Sequence, residues 1–352
     1  MADHGGKGPA GGLTYAAAGV DVAAGERAVD AIKGLVRSTY RPEVLGDIGA
    51  FAGLFRVPGG YREPVLVAST DGVGTKIAVA RAVGRYTTVG IDLVAMCVDD
   101  LVCQGAAPMF FLDYQALGRV DESLIVSLME GIAEGCRQAG CAILGGELAE
   151  HPGEMAPGEF DLAGFAVGIV ERDRILGPER VRAGDALIGL VSPGVRSNGY
   201  SLARRALLHD GGRALDGPAF EGAARTLGDE LLLPSVIYAP AVVALLDSVG
   251  VRAAAHITGG GLPANLPRAL PDGHRAVLRS DSWEVPPIFG EIQRAGQVSD
   301  DEMARVFNLG LGMVLVVPAD ETDRALAVLE PYGHRARVVG EVVVGEPGVT
   351  MA

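Results

Sequence analysis

The sequence lacks several signatures by which nucleotide-binding and hydrolytic enzymes are usually read. Gly72-Val73-Gly74-Thr75-Lys76 does not have the spacing of GxxxxGK(S/T), no GxGxxG follows a strand-like apolar run, and neither HExxH nor GxSxG occurs. Walker-type, dinucleotide, zinc-protease and serine-hydrolase sites of those kinds are thereby excluded. Aromatic residues make up only 5% of the chain, little for a β-sandwich core. Cysteine is scarce: Cys97, Cys103, Cys136 and Cys141 never stand as CxxC, so neither a zinc knuckle nor a disulfide framework is indicated, and free buried thiols in a reducing compartment are expected. Positive charge is also short. A formal net charge of −14 argues against a nucleic-acid or anionic-membrane partner, each of which needs a basic face. No run approaches the roughly 20 apolar residues of a membrane span, and residues 1–12 lack the apolar core of a signal peptide. The chain is therefore read as cytoplasmic, with 1–12 a flexible tail.

What is present is Ala, Val, Leu and Ile in quantity, a hydrophobic fraction of 49%, and 51 glycines in 352 residues. That length implies about two domains, and the mixture suits an α/β chain with many loops at strand ends. The charged, Gly- and Pro-containing connector from Arg172 to Asp185 places the division, giving domains 13–172 and 173–352. Apolar spacing predicts helices over 24–37, from 77, over 90–101, over 121–140 and over 238–249, with strands over 64–68, 109–114, 141–144, 160–171, 186–191, 313–317 and 337–344.

The stretch Ser69 to Lys76 is the centre of the reading. A buried strand delivers Asp71, Gly72, Gly74, Thr75 and Lys76 to one end. Glycines let backbone N–H groups approach phosphate oxygens, lysine supplies a point charge, and a carboxylate can hold Mg²⁺. Asp92, Asp99 and Asp100 then lie in an otherwise apolar helix and need partners, of which a metal would be one. Further along, Gly145-Gly146-Glu147 repeats the pattern of a strand ending in glycine and a carboxylate. Ser197-Asn198-Gly199 and Thr258-Gly259-Gly260-Gly261 read as loops entering helices, positions suited to anions.

Thr70 to Lys76, Gly90-Ile91-Asp92-Leu93-Val94-Ala95-Met96, Gly145-Gly146-Glu147, Ser197-Asn198-Gly199-Tyr200-Ser201, Thr258-Gly259-Gly260-Gly261 and Phe307-Asn308-Leu309-Gly310 stand in the order found in the phosphoribosylformylglycinamidine cyclo-ligase family, which the chain resembles from about Tyr15 to its end. The resemblance implies a two-domain α/β (α+β type) chain with an N-terminal mixed sheet and helices that pairs in a homodimer, and a C-terminal mixed sheet with helices. It implies an enzyme of purine biosynthesis that uses ATP and Mg²⁺ to close an imidazole ring on a small-molecule ribonucleotide. Carried over, Asp71, Lys76, Glu147 and Arg196 become catalytic, and Asp71, Asp100 and Glu147 metal-binding. Lys33, Gly72, Gly74, Thr75, Asp92, Ser197, Asn198, Gly199 and Thr258 to Gly261 become nucleotide- or substrate-binding, with Lys33 and Lys76 facing phosphates. His256, before the last glycine loop, is read equally well as structural or catalytic.

The chain departs from the family pattern in three places. Arg196 stands where the family has histidine, Asp99 replaces the asparagine of Asn-Asp, and Leu148 replaces the threonine after Glu147. Arginine cannot exchange a proton at neutral pH, though it can grip a phosphate. Two rival readings therefore stay open: a catalytically silent nucleotide-binding subunit, and an enzyme like thiamine-monophosphate kinase. Selenophosphate synthetase, which needs an early cysteine, is disfavoured because the first cysteine is Cys97.

Overall fold

A computed structural model describes residues 14–352; the tail expected over 1–12 lies outside the described residues. Helix α1 (Val22–Arg37) starts where the Asp21 carboxylate accepts from Ala24 N, and it buries Ala28, Ile32 and Val36. Strands β1 (Val44–Leu45) and β2 (Leu54–Phe55) make a small antiparallel ribbon. Strand β3 (Pro64–Gly72) runs four residues further than the apolar pattern, so Asp71 lies within it. It turns through Gly74 into α2 (Lys76–Val83), which is followed by α3 (Thr87–Cys103), β4 (Ala107–Leu117), α4 (Glu122–Ala139), β5 (Ala142–Glu150) and β6 (Phe160–Glu171). These strands form one mixed sheet in the order β3-β6-β4-β5, with β4 and β5 parallel.

Helices α3 and α4 cover one face of that sheet. They cross where glycines meet: a Cβ on Gly131 would lie 1.9 Å from the Thr87 carbonyl oxygen, and one on Gly90 2.5 Å from that of Leu128. The backbones touch there, which lets α3 sit almost wholly inside the protein. Helix α4 opens with Asp121 accepting from Ser123 N and Leu124 N and closes on Gly140 at φ 69°, the ends its sequence predicts.

The second half builds a six-stranded mixed sheet in the order β12-β9-β11-β7-β10-β8, from β7 (Ala186–Val191), β8 (Ala253–His256), β9 (His274–Leu278), β10 (Leu311–Val317), β11 (Arg337–Val344) and β12 (Gly348–Met351). A continuous apolar cluster runs from Ile32, Leu93 and Leu128 in the first half to Leu190, Tyr238 and Val242 in the second, so the halves share a core. The cysteines are free thiols, Cys97, Cys136 and Cys141 buried and Cys103 partly so. No helix among the described residues is long and apolar enough to cross a membrane.

Candidate functional site

Four segments distant in sequence meet at a cleft between the two sheets. The end of β3 supplies Asp71, which stays open to solvent on one side while its carboxylate accepts from Gly72 N at 2.7 Å. Partial burial pushes Asp71 above its ordinary range, the Gly72 N–H pulls it back, and the charge of Asp100 adds to the push. Asp100, on the last turn of α3, accepts from Ser69 Oγ at 3.1 Å and lies 2.9 Å from His256 Nδ1 at the end of β8. Burial raises its carboxyl, but the His256 and Ser69 hydrogen bonds outweigh that and hold it below the usual range. Thr75 Oγ1 lies 3.1 Å from Ser201 Oγ, and a Cβ on Gly259 would stand 3.6 Å from Asn198 Nδ2. The loops 72–75, 196–201 and 258–261 are thus brought together. Two buried groups beside them have no protein partner: Ser197 Oγ, and both side-chain atoms of Asn308. A buried polar atom left unpaired is costly, and these mark the wall of the cleft as built for a polar ligand.

Several residues expected at the site are engaged elsewhere. Lys76, expected to face phosphates, is fully buried at the start of α2; its Nζ lies 2.6 Å from Asp92 Oδ2 and donates to the carbonyls of Arg196 at 2.9 Å and Leu233 at 2.7 Å. Burial lowers its pKa while Asp92 pulls it back up. Asp92, expected beside the nucleotide, also accepts from Ser235 N at 2.7 Å and Ser235 Oγ at 2.6 Å. Asp99 accepts from Tyr238 N at 2.8 Å and Ala239 N at 3.0 Å, capping the helix Ala239–Leu246. The acidic residues of α3 do need partners, but Asp92 finds them in Lys76 and Ser235, and Asp99 in Arg196, Tyr238 and Ala239, rather than in a metal. Arg196 is likewise no free phosphate grip. Its guanidinium is buried and donates to Val236 O at 3.0 Å and Asp99 Oδ2 at 3.2 Å, and meets His256 Nε2 at 2.8 Å. Lys33 pairs at 2.6 Å with Asp30 on the surface of α1.

Glu147 does not lie at a strand end. It sits inside β5, opposite Tyr114, on the edge strand of the first sheet. The register Asp71↔Gly164↔Asp113↔Gly146 puts three strand spacings between β3 and β5, roughly 14 Å, and Glu147 points to the face opposite that of Asp71. In one chain these carboxylates cannot share an ion. Glu147 instead borders a cavity of about 730 Å³, lined by Val29, Ile32 and Val36 of α1, residues 47–53, and Asp113, Gln115 and Leu148. Among the described residues no group of three or more His, Cys, Asp or Glu is placed to enclose a metal. Asp71 and Asp100 offer two carboxylates, a set that suits Mg²⁺ when phosphates and water complete its octahedron. His256 and Asn308 owe their place in the cleft to tertiary pairing; their only sequence signal is the motif each sits beside.

The fold and cleft define a two-domain class: residues 49–170 match the N-terminal domain, and residues 182–351 the C-terminal domain, of AIR synthase related proteins. The chain belongs to that family. Within it, the phosphoribosylformylglycinamidine cyclo-ligase of Anaeromyxobacter dehalogenans is 57% identical over 338 residues, covering 96% of this chain and 97% of that protein. The protein of the same name from Myxococcus xanthus is 55% identical over 340 residues, covering 96% and 98%. Among solved structures, thiamine-monophosphate kinase from Stenotrophomonas maltophilia superposes with a TM-score of 0.67 at 22% identity, over 91% of this chain and 95% of that one. The hydrogenase maturation protein HypE in complex with ATP gives 0.65 at 20% identity, over 95% and 92%. These last two share the fold.

Proposed function

We propose that the chain is an ATP-dependent cyclo-ligase that closes formylglycinamidine ribonucleotide to aminoimidazole ribonucleotide, releasing ADP and phosphate, in cytoplasmic purine biosynthesis. The observation that carries this reading is the convergence of the loops 71–75, 196–201 and 258–261 on one cleft, in a chain matched nearly end to end by relatives bearing the cyclo-ligase name. ATP, when bound, supplies a phosphoryl group that turns the formyl amide oxygen into a leaving group. The chain's own tasks are to hold the ribonucleotide, neutralise phosphate charge and exclude water.

In this reading Asp71 and Asp100 hold Mg²⁺, and the backbone of Gly72, Gly74 and Thr75 faces nucleotide phosphates. Ser197, Asn198, Gly199 and Thr258 to Gly261 receive the substrate phosphate or the transferred phosphoryl group. Glu147 and the cavity beside α1, on the other face of the sheet, meet nucleotide only across the contact with a second copy. Lys76, Asp92 and Arg196 support these groups from behind. The sheet face bearing Leu66, Phe165, Tyr114 and Glu147 pairs with a second copy.

Purified protein given formylglycinamidine ribonucleotide, ATP and Mg²⁺ should form ring product and ADP one to one; no ring product at saturating ATP sinks the reading. Asp71→Asn should lower kcat/KM for Mg-ATP at least tenfold, about 1.4 kcal/mol, with unchanged thermal stability. The absence of an imidazole at position 196 favours the second reading, a silent nucleotide-binding subunit. Both readings predict ATP binding, and turnover alone separates them.

A further inference from the structure

We propose that Arg196 is a positioning residue which, held by Asp99, keeps the proton of His256 on Nδ1 and so aims the Asp100 carboxylate into the cleft. A guanidinium only donates hydrogen bonds. Since Arg196 Nη2 stands 2.8 Å from His256 Nε2, that nitrogen must present its lone pair, and the ring proton belongs to Nδ1. There it donates to Asp100 Oδ1 at 2.9 Å, while Ser69 Oγ holds the other carboxylate oxygen at 3.1 Å.

Other contacts fix the guanidinium: Nη1 donates to Val236 O, Nη2 also reaches Asp99 Oδ2, and its carbon lies 5.1 Å from the centre of the Tyr238 ring. The backbone of Arg196 sits at φ 63°, a left-handed conformation rare for a residue with a side chain. Asp99 is fixed in turn by Tyr238 N and Ala239 N. The order therefore runs from the N-terminus of the helix Ala239–Leu246 through Asp99, Arg196 and His256 to Asp100. Only the last member is open: the side chains of Asp99, Arg196 and His256 are 0%, 2% and 3% exposed, that of Asp100 44%. A histidine that orients a carboxylate in this way is the outer support of a ligand site.

Arg196 adds a buried positive charge and Asp99 a buried negative one, and they touch. Either alone would leave an uncompensated charge inside the protein; together they cancel.

The test is nitrogen-detected NMR of the histidine rings in the full chain, with His256 assigned by its loss in His256→Gln. Wild-type His256 is expected to be protonated at Nδ1 and bare at Nε2. Arg196→Met combined with Asp99→Asn keeps the buried charge balanced and removes the donor, and the ring should then lose this fixed pattern. Wild-type His256 with its proton on Nε2, or an unaltered ring in the double variant, overturns the proposal, and the wild-type measurement decides even where a variant fails to fold. A kinetic arm rests on the reading of Asp100 as a carboxylate of the Mg-ATP site: the double variant should need about tenfold more Mg²⁺ for half-saturation, and Arg196→Lys less. The expected tautomer with unmoved Mg²⁺ dependence supports the Arg196–His256 arrangement and overturns instead the placing of Asp100 on the metal.

Discussion

Asp113 shows how far one buried side chain can shift the pH response of the protein. It lies in β4 at 8% exposure, accepts from Gln115 Nε2 at 2.8 Å and has no cationic partner among the described residues. Burial pushes its carboxyl up to about 6, against the pull of the Gln115 hydrogen bond. The folded chain therefore keeps a proton that the unfolded chain releases near pH 4. This contribution is fully present below about pH 4 and is lost as pH rises through about 6, a swing on the order of 2–3 kcal/mol. Asp113→Asn has the shape of the protonated acid without its charge. Urea unfolding should find the variant more stable than wild type by about 2 kcal/mol at pH 8, with no advantage at pH 4. Equal stability at pH 8 would refute the assignment. Nothing in the sequence around Asp113 announces this. The same holds for Asp92 and Asp99: periodicity shows that an apolar helix carries acids needing partners, but Lys76, Ser235 and Tyr238 are supplied by distant segments that no local pattern connects.

Elements whose ends are written in side-chain chemistry were legible in the sequence. Helix α4 has its capping aspartate and stop glycine, and β6 and β11 have their alternating or continuous apolar runs. Strand β5 was not fully legible, because Gly145-Gly146 reads as a turn and only pairing with β4 carries the strand on through Glu147 to Glu150. Strand β8, Ala253 to His256, has little intrinsic strand preference and exists because β10 lies beside it. Glycine inside helices is ambiguous in the same way, and the structure separates two kinds. Gly131 of α4 lies against the Thr87 carbonyl oxygen, which a Cβ would approach to 1.9 Å, whereas nothing lies within 4 Å of a Cβ at Gly34 of α1. Gly131→Ala should force α3 and α4 apart and cost about 3 kcal/mol. Gly34→Ala should gain about 0.5–1 kcal/mol from helix propensity and reduced unfolded-state freedom. Thermal unfolding of the two variants would show shifts of opposite sign; equal shifts would mean that the crossing is looser than drawn.

At the scale of the whole molecule, the first sheet is finished on one side only. Helices α3 and α4 bury its inner face. On the outer face a small cluster, Met109, Val167 and Ile169 with Phe55 and Tyr61, is covered by the β2 region. Beyond it Leu66, Phe165 and Tyr114 stay 61%, 39% and 40% exposed, and the register Thr70↔Phe165↔Leu112 puts them on one face. Large apolar side chains exposed on one sheet face suit an interaction surface, and a self-complementary patch on a two-fold axis is the simplest way to cover them. Glu147 lies on the same face, so pairing would shelter one border of the proposed nucleotide site as well as the apolar residues. The chain mass is 36.2 kDa, and light scattering after gel filtration should return twice that value at micromolar concentration. Leu66→Glu with Phe165→Glu places charges against their own copies across the axis. It should weaken association at least a hundredfold, about 2.7 kcal/mol, and shift the mass to that of one chain while each chain stays folded by circular dichroism. Activity should fall with the dimer if Glu147 works inside the pair, and a fully active monomer would remove both Glu147 and the sheet face from the site.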